Sequence, residues 1–442
     1  MNAPRDAAGP PETAAGRPAT PDRSEGHPAS RRSGAGLDGV NFLMADVQGG
    51  VGPYLSIFLA GTRHWQAGPV GVAMAAGSIA GAVCQIPTGL LVDGSRHKRA
   101  LFAGAGLLVA AATLLVVVFP GFWPVLAAQT ILGGASAVIP PAVAALTLGI
   151  VGQRLMPARI SRNEAFNHGG TFVAAVLAGL CGNVLGTDWI FYLVGIFAVL
   201  SALAVRLIDP REVDHDRARG GEAAEHAGRP LRIRDLLGQR PIAIFLAAVV
   251  LFHFGNAAML PFAGQVLAHV HPGSDALALS ACIICAQLVM VGISWLVGRA
   301  MAAGYGRKSI FLVAYALLPV RGILFSFTTS PYGVVAIQLL DGVAAGIFGV
   351  ISIVIAADLT RGTGRFNLMQ GLVALAVGAG ASLSNAIGGY VVQDRGYPTG
   401  FLTLAGIAVL ALLFFLLLMP ETGGAGAPAW RHAAPGIGAS GR

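Results

Sequence analysis

Charge is scarce in this 442-residue chain. Asp, Glu, Lys and Arg together make up 11% of it, against 55% hydrophobic residues. A soluble globular domain carries about 25% charged residues, so a soluble enzyme is excluded and a polytopic membrane protein is the ordinary class that fits. Lysine is almost missing: Lys98 and Lys308 are the two, and the other basic residues are arginines. Cysteine is limited to Cys84, Cys181, Cys282 and Cys285, all inside apolar stretches, which argues against a disulfide framework. Cys282 and Cys285 share a helix face, where packing is expected and metal or redox chemistry is the alternative. No Gly-x-x-x-x-Gly-Lys-Ser/Thr segment occurs, so ATP is not expected to drive this protein and no cofactor or metal is implied. No signal-peptide core precedes the first apolar run. Residues 1–37 have almost no large apolar side chains and are expected to form a disordered tail, as are residues 421–442.

Long apolar runs are what the chain does have. About twenty apolar residues cross a bilayer as a helix. Twelve such spans are predicted: 39–60, 68–91, 99–119, 122–150, 163–186, 189–208, 241–264, 275–298, 308–328, 332–357, 367–391 and 398–419. They fall into two groups of six, 38–208 and 241–420, joined by the polar segment 209–240. The expected fold is an all-α membrane protein with twelve transmembrane helices in two pseudo-symmetric six-helix bundles.

The net charge of +8 is a matter of placement. With twelve spans both tails lie on one side, and 26 of the 29 basic residues fall on that side. Arg63 and Arg395 alone lie on the other, and Arg321 is inside a span. This bias predicts that the tails and middle segment are cytoplasmic, and it removes any need for a nucleic-acid partner. Trp123, Trp189, Tyr192 and Tyr332 fall near span ends, as interface aromatics do.

The two groups repeat each other. Gln48 precedes Pro53 by five residues, as Asn256 precedes Pro261, at an offset of 208. "QTILGG" at Gln129 matches "QLLDGV" at Gln338, and Lys98–Arg99 matches Arg307–Lys308, both at 209. Gly170 and Gly179 are paired in this reading with Gly371 and Gly380 at 201, the change being assigned to a shorter loop. Six spans per repeat leave both halves in the same orientation, with a site expected between them near the bilayer midplane.

The junction of spans two and three reads "GLLVDGSRHKRAL", Gly89 to Leu101. This resembles the loop signature of the major facilitator superfamily, Gly-x-x-x-Asp-(Arg/Lys)-x-Gly-(Arg/Lys)-(Arg/Lys). Gly89, Asp93, Lys98 and Arg99 fit; Gly94 replaces the usual basic residue, and Arg96 stands near the usual glycine. A decayed copy runs from Gly298 to Lys308 and holds no acidic residue. The resemblance implies a cytoplasmic latch in which Gly89 permits close helix approach and Asp93 pairs with Arg99 or an arginine ending span four. A purely topogenic role for Lys98 and Arg99 is the alternative. Arg162, Glu164, His168, Arg307 and Lys308 complete the candidate gate. Two features common in the family are missing: Gln129 stands where proton-coupled members often carry arginine, and "GLCGNVLG", Gly179 to Gly186, lacks the proline of drug antiporters.

Ionisable groups inside lipid are costly and mark functional sites by default, about 2.5–3.5 kcal/mol each on insertion scales. Asp46 shares a helix face with Gly49, Gly50 and Pro53, a pliable polar face suited to a cavity wall or to proton carriage. A structural Asp paired with a neighbouring helix is the alternative. His253 and Asn256 lie three apart in span seven, where the histidine either carries a proton or is a hydrogen-bonded core residue. Arg321 and Asp341 lie seven to nine residues from the outer ends of consecutive antiparallel spans. They are expected to pair, either structurally or to bind an anion or relay a proton. Gln48, Gln129, Gln287 and Asn167 are further lining candidates. The residues and the resemblance together imply a secondary transporter of a small organic solute in the cytoplasmic membrane, a monomer, moving it by alternating access in proton-coupled export. Proton-coupled uptake is the alternative, a transport-inactive receptor a further one; a membrane enzyme would cluster its acids and histidines at one face, which this chain does not do.

Overall fold

Every apolar stretch is helical. The computed structural model describes residues 29–49, 51–215, 218, 238–360 and 366–423. Span one is α1 (Arg31–Gly49) and α2 (Val51–Ile57), continued by a π turn, Phe58–Thr62. Spans two and three are α3 (Ala67–Gly94) and α4 (Lys98–Val118). Span four is α5 (Phe122–Ser136) with the start of α6 (Ile139–Val184), span five the rest of α6, and span six α7 (Asp188–Ala204). Span seven is α8 (Arg240–Asn256) with α9 (Met259–Val270). Spans eight to twelve are α10 (Asp275–Ala302), α11 (Arg307–Phe325), α12 (Pro331–Leu359), α13 (Phe366–Arg395) and α14 (Tyr397–Leu418). Eleven stretches among the described residues are long and apolar enough to cross a membrane, and span one, described on either side of residue 50, makes the twelfth.

Proline sets the breaks. Pro53 and Pro261 have no N–H to give the residue four before them. Those residues are Gly49 and Ala257, and Ala257 is the cap at which α8 ends. The freed backbone is satisfied from neighbouring helices, as apolar surroundings require: the Ala258 N–H donates to Ser384 Oγ at 3.0 Å. At the break in span four, Thr88 Oγ1 donates to the Ala137 carbonyl at 3.0 Å.

The repeat is visible in who packs on whom. In the first half span one packs on five and six, two on four, and three on four and six. In the second half seven packs on eleven and twelve, eight on ten, and nine on ten and twelve. Glycines set the closest crossings. A Cβ on Gly133 would lie 2.1 Å from the Gly77 carbonyl oxygen, and one on Gly342 would lie 2.7 Å from that of Ala286. Gly170 meets the carbonyl of Phe42 in the same way, and Gly380 that of Val250. Phe42 and Val250 are 208 apart, so Gly170 corresponds to Gly380, at an offset of 210. The expected match of Gly170 with Gly371 is therefore wrong by nine residues. Glycines recur nine apart in both spans, and spacing alone does not separate the two registers.

The halves meet along α3 with α13 and α6 with α10, and where α2 touches α9. The last contact lies at the face opposite the tails, called here the distal face; the tails' own side is the basic face. Spans four and ten, by contrast, show no comparable packing on each other among the described residues.

Some boundaries differ from the sequence reading. α1 begins at Arg31 rather than 39, because Ser33 and Leu37 are fully buried there. Ser33 Oγ also accepts the Asp209 N–H at 3.0 Å. No loop separates spans four and five: α6 runs through and bends at Gly152, with φ 69° and ψ 173°, a backbone region in which glycine carries no steric penalty. Most of the 209–240 segment and both outer tails lie outside the described residues.

Candidate functional site

One group of polar side chains stands out inside the apolar second half. Arg321 follows Pro319 in α11 and is 1% exposed. Its Nη1 lies 2.6 Å from Asp341 Oδ1, on α12. The same nitrogen donates to Asn256 Oδ1 at the end of α8, and Nη2 donates to Gln338 Oε1 at 3.2 Å. Gln338 Nε2 then donates to Asp341 Oδ2 at 2.6 Å. The Gln338 amide thus bridges the guanidinium and the carboxylate. Three spans are tied together: seven through Asn256, nine through Arg321, and ten through Gln338 and Asp341. The Asp341 side chain keeps 21% of its surface exposed, so the carboxylate is the accessible member of the pair.

The pairing of Arg321 with Asp341 and the nearness of Asn256 follow the sequence expectation. Gln338 was not among its candidate site residues. Two signals pointed to it: it lies one helical turn before Asp341, and it is the repeat partner of Gln129.

The first half carries no charged counterpart. Positions 209 before Arg321 and Asp341 are Ala112 and Leu132. The amides are retained, since Gln48 matches Asn256 and Gln129 matches Gln338. Gln129 is 5% exposed, packs beside Gly77, and its Nε2 is buried with no hydrogen-bond partner. The side chains of Asp46 and Gln48 lie outside the described residues. Gln287 on α10 has a buried Oε1 without a partner. His253 is separate from the Arg321 group in its contacts: its Nδ1 lies 3.1 Å from the Val249 carbonyl, and its ring stands edge-on to Phe348, with centroids 4.7 Å apart.

At the distal face the halves are locked by short contacts. Tyr54 Oη and Ser280 Oγ are 2.6 Å apart. Ser56 Oγ donates to the Pro261 carbonyl at 3.1 Å, and the Gly68 N–H to Gln393 Oε1 at 3.1 Å. The side chains that make these contacts were not singled out from the sequence, because a hydroxyl in an apolar helix gives no sign of which half it faces.

The basic-face candidates form separate groups. Asp38 accepts from Arg159 Nη2 at 2.6 Å and from Arg162 Nη2 at 2.7 Å. Arg159 also donates to Asn163, whose amide reaches Thr147 Oγ1 at 3.1 Å. Sequence reasoning missed Asp38, although Arg159 and Arg162 at helical spacing called for a carboxylate. Glu164 and Asn167 border a cavity of about 250 Å³ against span one, and His168 has a buried Nδ1 without a partner. In the other half Arg307 pairs with Asp358 at 3.5 Å, and the Lys308 N–H donates to the Glu421 carboxylate.

The loop motif departs from its expectation. Asp93 is exposed and is not paired with Arg99. Arg99 instead donates to the carbonyls of Val205 at 3.2 Å and Arg206 at 3.1 Å, at the end of span six, where a cation meets the negative helix terminus. Lys98 is 1% exposed and its Nζ donates to the carbonyls of Val92 at 3.0 Å and Ser95 at 2.8 Å, capping α3. Nothing lies within 4 Å of where a Gly89 Cβ would stand, so no helix approaches it closely here. The physical reason is the spacing of the halves, which pack at the distal face and leave this end of α3 free.

A family model described as Major Facilitator Superfamily matches residues 37–320 and 296–435. The chain belongs to this superfamily. An uncharacterized MFS-type transporter of Mycobacterium tuberculosis is 44% identical over 388 residues, covering 87% of this chain and 93% of that one. A gallate transporter of Pseudomonas putida is 24% identical over 202 residues, 44% of each chain. Among solved structures, a mutant form of the nucleoside transporter NupG superposes with a TM-score of 0.72 at 16% identity, covering 87% of this chain and 99% of the other. A POT family transporter holding a thioalcohol-conjugated peptide gives 0.71 at 12% identity, over 87% and 96%. The likeness to these structures is one of fold. This superfamily member is a multi-pass membrane transporter, and the Arg321 group is the charged feature of its second bundle.

Proposed function

We propose that this MFS transporter moves a small organic solute across the cytoplasmic membrane by alternating access, as a monomer, in proton-coupled export. Its tails and middle segment face the cytoplasm, as the 26-to-2 division of basic residues requires. The single observation that carries the coupling is the Arg321–Asp341 pair. The carboxylate is partly exposed and is bridged to the guanidinium by the Gln338 amide, so in this reading a proton taken up by Asp341 releases the guanidinium to another anion and its loss restores the pair. Asp46 is proposed as a second carrier on its sequence position. Contacts between the halves concentrated at the distal face support a state open toward the cytoplasm. Rocking of the halves then exposes the same site to the other side.

A screen for thermal stabilisation of the purified protein supplies substrates. With such a compound and an imposed pH gradient, vesicles bearing the wild-type protein are expected to concentrate it against its own gradient. Asp341→Asn is expected to abolish this response and leave downhill exchange in place. An intact response in Asp341→Asn removes Asp341 from coupling and leaves Asp46 as the carrier. Comparison of cells with and without the protein fixes the direction: export predicts less of the compound inside expressing cells.

A further inference from the structure

The basic end of the first half contains a cavity of about 520 Å³ between α4, the start of α6 and the exit of α7. Its polar wall is made by Arg96, His97, Arg99, Arg206 and His215. No carboxylate lines it among the described residues. Of the acids in the adjoining turn, Asp209 accepts from the Arg211 N–H and Glu212 from the Ser30 N–H, and Asp214 sits between two lining residues without lining the cavity itself. Arg99 is held in place by its two carbonyl acceptors, which use Nε and Nη2 and leave Nη1 with no acceptor among the described residues. His215 has a buried Nδ1 without a partner among the described residues. Fixed donors without acceptors suit an anion, and guanidinium groups suit a phosphate in particular.

The other wall is apolar and points sideways. Ala100, Gly104 and Leu107 line the cavity, and all three are exposed. They continue up α4 as Ala111, Leu114 and Val118, also exposed. Steps of four, three, four, three and four residues keep this row on one helix face. In a multi-pass protein an exposed apolar face of an outer helix is the lipid surface. The cavity is therefore a groove whose basic end lies at the membrane boundary and whose apolar end runs into the acyl region.

We propose that this groove binds one anionic phospholipid, with its phosphate among Arg96, Arg99 and Arg206 and an acyl chain along Gly104 and Leu107. A free phosphate would use the same arginines but would have no use for the apolar row, and that row is why the lipid is the occupant assigned here.

Native mass spectrometry of the full-length protein tests this, with phosphatidylglycerol, phosphatidylcholine of the same chains, and inorganic phosphate as probes. One phosphatidylglycerol is expected to be retained in preference to phosphatidylcholine. Removal of two charges in Arg96→Gln/Arg206→Gln is expected to weaken that binding about thirty-fold. Both arginines are exposed, so the thermal transition is expected to stay in place. Gly104→Leu fills the apolar groove without a clash, since no heavy atom lies within 4 Å of its Cβ position. It is expected to weaken phosphatidylglycerol while leaving phosphate unaffected. Equal retention of both lipids, unchanged binding in the double variant, or phosphatidylglycerol binding indifferent to Gly104→Leu would overturn the proposal, the last in favour of a free-anion site.

Discussion

Arg321→Ala is expected to be among the most damaging single substitutions in this protein. The side chain is fully enclosed, and its removal leaves the Asp341 carboxylate without its counter-ion and Asn256 and Gln338 without their donor. Breaking a buried pair from one side costs about 3–5 kcal/mol. The loss is expected as a lower yield of folded protein and a lower thermal midpoint in detergent. Arg321→Lys is expected to recover little, because an ammonium cannot reach three separate acceptors from one planar group. Replacement of both partners, Arg321→Met with Asp341→Leu, is expected to restore most of the stability, since an apolar pair of similar volume is often neutral. It is not expected to restore the response to a pH gradient. Full stability in Arg321→Ala alone would show that water already solvates the carboxylate, and the case for a sheltered charge would be lost.

Gly71→Val is expected to remove transport while leaving the fold intact. A Cβ at this position would stand 2.1 Å from the Asn385 carbonyl oxygen and 3.3 Å from the Gly389 Cα, both on α13 of the other half. The obstacle is backbone, so no side-chain rotation relieves it, and α3 and α13 must separate. Overpacking of this kind costs about 1–3 kcal/mol, about 5- to 150-fold in the balance between two conformations. The nearest atoms all belong to α13, so the interior of the first half is untouched. Cysteine labelling from the distal side, in a background lacking the four native thiols, is expected to rise as transport falls. The repeat offers an internal control. Gly179 opposes Ser280 of the other half in the related crossing, but its nearest atom is the serine hydroxyl at 2.6 Å. The hydroxyl can rotate away and the Ser280 Cβ, at 2.9 Å, has only to give by a few tenths of an ångström, so Gly179→Ala is expected to be the milder change. Equal distal labelling in Gly71→Val and the wild type would mean that this crossing does not close the distal face.

The fold was legible because lipid imposes a simple rule: apolar stretches of sufficient length become helices. The break at Ala257 has its cause in Pro261, four residues on. The register of span eleven was not legible, because Gly371 and Gly380 fit a nine-residue spacing equally well, and only the carbonyls of Phe42 and Val250 distinguish them. Within the site, Arg321 and Asp341 were conspicuous as charges at similar depth. Gln338 was not, since a neutral amide gains its meaning from what stands opposite. The same limit hid Asp38. Its partners lie more than a hundred residues away, and which arginine turns toward it depends on the packing of span one against span five. The loop motif belongs to a pattern whose contacts depend on conformation. Its residues match a family pattern, but in this conformation Lys98 and Arg99 serve helix ends and Asp93 stands free of Arg99.

Glu421 lies beyond the final helix, yet its carboxylate takes the Lys308 N–H and the N–H groups of Thr422 and Gly423. The turn after span twelve thereby clasps the start of span nine, the helix that carries Arg321. Purification tags and fusion partners accordingly belong after Gly423. A truncation at the end of span twelve would untie a helix more than a hundred residues upstream.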